Sequence, residues 1–150
     1  MPSNSLSNID IIKIIQKHKF KHFHGVYSKD LLPQHLQIGW YIINMEDSND
    51  GNGTHWTCFH YTIDKMVYFD SFGFIYPDTL KNRSTNIIYN HKEIQNYYSS
   101  ACGWFCLSFM FYDKYTDIDL KLKRFQNRFS NITNLNDNIL DQLLHEENLI

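Results

Sequence analysis

Four residues in this 150-residue chain are of types that together can attack a carbonyl: Cys102, His55, Asp70 and Gln95. Cys102 opens the almost wholly apolar run ACGWFCLSFMFY, with small residues crowded around it at Ser99, Ser100, Ala101 and Gly103. If that run is a helix, the sulfur sits at its first turn, where unpaired backbone N–H groups and the helix dipole favour the thiolate. An imidazole within hydrogen-bond reach would pair with it, and the sulfur would become a nucleophile near neutral pH. His55 is the candidate base. Asp70 is the candidate acceptor for the far ring nitrogen of His55, fixing its tautomer and orientation. Acyl transfer also requires donors for an oxyanion. The amide of Gln95, seven residues before Cys102, and the backbone N–H of Cys102 can supply them if NYYSSA folds back.

These residues matter only if the fold brings them together. SNIDIIKIIQKH begins with Ser7 as an N-cap and Asp10 three residues on, and places Ile11, Ile12, Ile14 and Ile15 on one side, which predicts a short amphipathic helix. HFHGVYSKDLLP reads as irregular and LQIGWYIINM as a buried strand. EDSNDGNG, dense in turn formers, delivers the chain to His55. HWTCFHYT and KMVYFDSFG read as a β-hairpin turning at Ile63 and Asp64, which makes His55 and Asp70 neighbours. GFIYPDTLKNRST reads as a loop with room for one helical turn, whereas NIIYN and KEIQNYY look extended. From Ala101 to about Tyr115 the chain is apolar on all sides and predicts a central buried helix. Leu135, Ile139, Leu140, Leu143 and Leu144 mark a further helical stripe.

The length suits one domain, residues 1–150, and a hydrophobic fraction of 43% with 16% aromatics supports a packed core. A net charge of -2 counts against a surface that grips nucleic acid throughout. Two basic segments, Lys13 to Lys21 and Lys121 to Arg128, read as solvated helix faces, and a DNA-binding module would need them to converge. Cys58, Cys102 and Cys106 cannot all pair, and no charged-then-apolar leader is seen, so a reducing, intracellular setting is expected. No apolar run approaches the roughly 20 residues of a membrane span. Ala101 is the only alanine in a chain rich in Asn, Ile, Lys, Tyr and Phe, which points to excluded bulk beside Cys102.

Each candidate has a plainer role to set beside the chemical one. Cys102 could be a buried small hydrophobe, Asp70 could cap the turn DSFG, and Gln95 could satisfy a loop backbone group. Cys58 and Cys106 read as core, as does Trp56 on the strand face opposite His55. Zinc is the rival use of His55, Cys58, His60, Cys102 and Cys106, but H-x2-C-x-H along a strand points His55 away from Cys58 and His60. No metal or cofactor is expected.

Taken in order, GTHWTCF, VYFDSFGF and IQNYYSSACGWFC resemble the HW, acidic F-G-F and Q-x6-C-G-x-F-C blocks of the adenovirus endopeptidase family, from about Gly39 to Tyr112. More distantly they are similar to the SUMO and ubiquitin-like deconjugating proteases, which share the order His, Asp, Gln, Cys. The resemblance implies a papain-like α+β fold, a central helix bearing the nucleophile packed on a mixed sheet with flanking helices. It makes Cys102 the nucleophile, His55 the base, Asp70 the orienter and Gln95 the oxyanion donor of a cysteine endopeptidase. The implied substrates are viral capsid or core precursor proteins cut near glycine at a viral assembly site or in the virion. A monomer is expected. Asp70 stands where adenoviral enzymes commonly have Glu, which changes reach and not role. No cysteine stands where those enzymes link their activating peptide and the charge balance is acidic, which counts against activation by such a peptide or by DNA. The alternatives are a ubiquitin-like deconjugating protease and an inactive structural or scaffold homologue, the latter disfavoured because all four positions are filled.

Overall fold

GWYIIN supplies six consecutive buried positions, as a strand covered on both faces requires. This strand is β2 (Gly39–Asn44). It lies beside β1 (Phe23–Ser28) and β3 (Trp56–Tyr61), and the sheet continues through β4 (Met66–Phe69) to β5 (Ile87–Tyr89). The outer pairs, β1 with β2 and β4 with β5, are parallel, and the inner pairs are antiparallel. Among the described residues four α-helices accompany the sheet: α1 (Asn8–Lys17), α2 (Cys102–Phe111), α3 (Ile118–Asn127) and α4 (Asn136–Glu146). The structure, a computed structural model, describes residues 5–46, 55–113 and 116–150.

Side chains alternate across each strand, so the sheet builds a core on either face. Trp40, Ile42, Trp56, Cys58, Val67 and Phe69 meet the helices, while Tyr41, Ile43, Phe59, Met66 and Tyr68 pack beneath the segment carrying Leu80. The helix α2 is apolar all round because it is enclosed all round. Its Phe109 stacks on Phe69 of β4 at 5.0 Å, meets Trp40 of β2 edge-on at 5.5 Å, and lies 5.5 Å from Phe125 of α3. Removing a ring so enclosed costs about 3–5 kcal/mol. The fold is therefore the expected α+β class, a central buried helix packed on a mixed sheet with flanking helices. None of the helices among the described residues is long and apolar enough to cross a membrane.

Several local expectations differ from what forms. HFHGVYSKDLLP is not irregular: it contains β1, an edge strand half-buried along its whole length, whose pairing with β2 slips between Phe23 and Val26. KEIQNYY is not a strand. Its backbone donors turn inward instead, Ile94 N and Gln95 N both reaching Ser71 O at 2.9 Å. The central helix stops at Phe111, and Asp113 adopts a left-handed φ of 44°; residues 114 and 115 lie outside the described residues, as does the turn-rich stretch from 47 to 54.

The second basic segment is not simply a solvated face. It forms α3, and Lys121 is 1% exposed, its ammonium donating to Met110 O at 2.8 Å and lying 5.1 Å from the Trp40 ring centre. Arg124 and Arg128, in contrast, pair with Asp113 and Glu146 at the surface.

Candidate active site

The hairpin of β3 and β4 turns where Thr62 N donates to Lys65 O at 2.8 Å, and its register sets Cys58 opposite Phe69. His55, just before β3, therefore meets Asp70, just after β4. His55 Nε2 donates to Asp70 Oδ1 at 2.8 Å. The carboxylate is held from below: Asp70 is 1% exposed, and the same Oδ1 accepts from Phe72 N at 2.8 Å. Asn90, at the end of β5, brackets the Asp70 backbone, accepting from its N–H at 3.0 Å and donating to its carbonyl at 2.6 Å. The turn that follows needs Gly73, whose φ is +77° and whose N–H closes on Asp70 O at 2.8 Å. A Cβ there would stand 2.9 Å from the backbone of His91 and Lys92.

Cys102 is the first residue of α2 and is 3% exposed. Its sulfur accepts from Trp56 N at 3.4 Å and is hydrogen-bonded to the His55 ring. Because a carboxylate only accepts, Nε2 of His55 carries the proton toward Asp70, and Nδ1 is the nitrogen left for the sulfur. Burial pulls the imidazole toward its neutral form, but the hydrogen bonds to Asp70 and Cys102 and their negative charge outweigh it and lift the His55 pKa to about 9. The N-cap residue Ala101 contributes no side-chain bond to the helix start. The dipole of α2 thus acts on the sulfur without a capping oxygen competing at its end. Such an arrangement can hold a thiolate against an imidazolium and deliver that proton to a leaving group.

Gln95 lies in the loop between β5 and α2 and is 1% exposed. The stretch NYYSSA does fold back: Gln95 Nε2 donates to Ser99 O at 2.8 Å and Ser99 N to Asn96 O at 2.9 Å. Ser71, the neighbour of Asp70, donates to Gln95 Oε1 at 2.5 Å, which ties the loop to the carboxylate's own turn. One of the two amide N–H bonds is thus engaged within the loop. The loop is anchored from outside by the start of α4, with Asn136 Nδ2 donating to Ile94 O at 2.8 Å and Ser99 Oγ to Asp137 Oδ1 at 3.0 Å.

The structure thus gathers His55, Asp70 and Cys102 into one chain of contacts, and places Gln95 in the loop that leads to the sulfur. Sequence reasoning missed Ser71, Asn90 and Asn136, which position these groups; each is a single polar residue whose partner lies far along the chain, so no local pattern marks it. At Gly103 a Cβ would come within 3.2 Å of Leu6 and 3.3 Å of Trp56. Its smallness seats the N-terminal segment, whose Leu6 O accepts from Trp56 Nε1 at 2.8 Å.

The remaining zinc-type residues serve the core. Cys58 and Cys106 are fully buried, burial pushing the Cys106 thiol well up, and His60 lies edge-on to Trp40 at 4.9 Å with its pKa lowered to about 4 by burial and then by Lys121. No group of three or more His, Cys, Asp or Glu placed to hold a metal occurs among the described residues.

The sequence matches no protein-family model and no curated protein. Its structure is similar to the crystal structure of the ASFV pS273R protease, with a TM-score of 0.58 at 14% identity, over 95% of this chain and 67% of that one. A selenomethionine crystal structure of the same protease gives 0.49 at 14% identity, over 99% of this chain and 68% of the other. The first of these likenesses shows a shared fold: this chain has the α+β architecture of the ASFV protease.

Proposed function

We propose that the chain is a cysteine endopeptidase that cuts proteins through a thioester. The observation that carries this reading is the His55 ring, bonded on one side to buried Asp70 at 2.8 Å and on the other to the sulfur at the start of α2. The shared fold with a protease supports it. In the reaction, the Cys102 thiolate forms a bond to the scissile carbonyl carbon and the carbonyl oxygen takes the charge. The Cys102 N–H and the second N–H of the Gln95 amide hold that oxyanion. The C–N bond then breaks, and His55 gives its proton to the departing nitrogen. Water, deprotonated by His55, adds to the thioester, and the acid product leaves as the sulfur departs as thiolate. Asp70 keeps the ring in register through both halves.

The substrates this reading favours are capsid or core precursors of a virus, cut near glycine. The test pairs wild type with Cys102→Ala. Iodoacetamide at mildly acidic pH should modify Cys102 ahead of Cys58 and Cys106, and co-expression with candidate capsid proteins should give fragments in mass spectra for wild type alone. Equal labelling of the three thiols, or identical fragments from both chains, would sink the proposal.

A further inference from the structure

The loop after Asp70 packs on the His55 ring, the loop before α2 packs on that loop through Tyr97, and both carry exposed aromatics. After Asp70 comes SFGF, in which Phe72 packs on His55 with ring centres 4.7 Å apart. Phe72 in turn lies 6.2 Å from Phe74 and 6.5 Å from Tyr97, and Tyr97 lies 5.7 Å from Tyr98. Phe74 is 66% exposed, Tyr97 80% and Tyr98 93%. Single exposed aromatics are ordinary on a protein surface, but a connected row that begins on a candidate base calls for a reason. The backbone beneath is fixed, since Ser71 O accepts from Ile94 N and Gln95 N, both at 2.9 Å, joining one loop to the other. The rings are therefore presented by a rigid support rather than by a floppy excursion.

Reaction chemistry says which part of a substrate meets this row. The imidazole that protonates the departing nitrogen must face it, so the segment released as amine passes over His55 and onto whatever continues from that ring. None of these rings lines the cleft of about 910 Å³ near the start of α2, which is lined among others by Leu6, Tyr27, Asn44, Glu46, Trp56 and Ser100. Tyr97 stands two ring contacts from His55, within reach of the second or third residue of an extended chain that advances about 3.3 Å per residue.

We propose that Phe72, Phe74, Tyr97 and Tyr98 form the platform for the leaving-group side of the substrate polypeptide and select a large apolar or aromatic side chain among its first three residues. This rests on the endopeptidase reading and extends it to specificity on the amine side of the cut. Stacked and edge-on ring contacts with desolvation of exposed aromatics supply the affinity, and the rigid loops limit the ordering cost.

The test presents wild type and a Tyr97→Ser/Tyr98→Ser double variant with a peptide library made from a digested proteome, and reads the cut sites by mass spectrometry. Both tyrosines are exposed, so the variant should melt with wild type. Among wild-type cuts, Phe, Tyr, Trp or Leu should be enriched by roughly tenfold at one of the first three leaving-side positions, the scale of one well-made aromatic contact. The double variant should lose that enrichment and keep its acyl-side preferences. Cutting by wild type with a flat leaving side, or an enrichment the variant retains, overturns this inference and leaves the endopeptidase standing. No cutting beyond that of Cys102→Ala overturns both. A wild-type dimer in sedimentation that the double variant dissolves would assign the rings to a second copy of the chain, and would also overturn it.

Discussion

Asp70 does two things to His55: it orients the ring, and its charge helps to raise the ring's pKa to about 9. Asp70→Asn removes the charge while keeping the shape, so the pKa of His55 should fall from about 9 toward its ordinary value. kcat should drop on the order of 10³–10⁴-fold, because an amide can favour the wrong tautomer. The same linkage has a sign in stability. A histidine whose folded pKa exceeds 6.5 stabilises fully below 6.5 and loses that contribution as pH rises through about 9. The melting temperature of wild type should therefore fall across that window, and in Asp70→Asn this part of the slope should vanish; an unchanged slope would show that His55 is not the group responsible. Gln95→Glu separates a second role. The carboxylate can still accept from Ser71 but cannot donate, so turnover of an amide substrate should fall about 10²–10³-fold. Alkylation of Cys102, which passes through no oxyanion, should persist.

At the scale of elements, the parts of the site legible in the sequence are those specified locally. The capping box of Ser7 and Asp10 starts α1 as the sequence predicts, each side chain bonding the other's backbone N–H at 2.9–3.1 Å. The hairpin of β3 and β4 follows from two alternating runs around a short turn, and its register brings His55 beside Asp70. What was not legible depends on partners distant in sequence. An edge strand without alternation hides β1, and the charge of Lys121 hides a core position filled by its methylene stem and its bond to Met110 O. The loop from 90 to 100 takes its shape from α4, through Asn136, which is fully buried and bonds Ile94 O, Ser130 O and Ser130 N at 2.8–2.9 Å. Asn136→Ala strands two carbonyls and one N–H, so it should destabilise the fold by about 2–4 kcal/mol in denaturant unfolding. The loop it holds carries Gln95, so kcat should fall at temperatures where the variant is still folded. A loss of stability with kcat intact would mean that Ser71 and Ser99 suffice to place the loop.

For the whole molecule, the helices turn two ionisable groups toward the core, Lys121 and Glu147. Glu147, at the end of α4, accepts from Ser108 of α2 at 2.8 Å with Oε1, while its buried Oε2 has no hydrogen-bond partner among the described residues. Lys121 of α3 lies in the same core beneath Trp40. Burial opposes both charges, raising Glu147 to about 8 and lowering Lys121 to about 8, with their mutual attraction offsetting only part of it. At neutral pH Glu147 is thus mostly a neutral acid, able to donate through the oxygen that lacks an acceptor bond. The sign follows: a carboxyl whose folded pKa is raised contributes stability that is complete below 4.5 and disappears as pH rises through about 8. Lys121 works the other way, its cost fading between about 8 and 10.5. Glu147→Gln keeps the bond to Ser108 and the volume but cannot ionise, so wild type should lose melting temperature relative to the variant between pH 5 and 6.5; the titrations of His55 and His60 are common to both chains and cancel in that difference. Melts of the two chains at pH 5, 6.5 and 8 check this, and parallel curves would place the ionised carboxylate in contact with the ammonium already at pH 5. The outcome reaches the candidate site because Ser108 and Cys102 share α2. If alkaline pH loosens Glu147 from that helix, alkylation of Cys102 at pH 8 should respond to Glu147→Gln although the substitution lies at the far end of the helix from the sulfur.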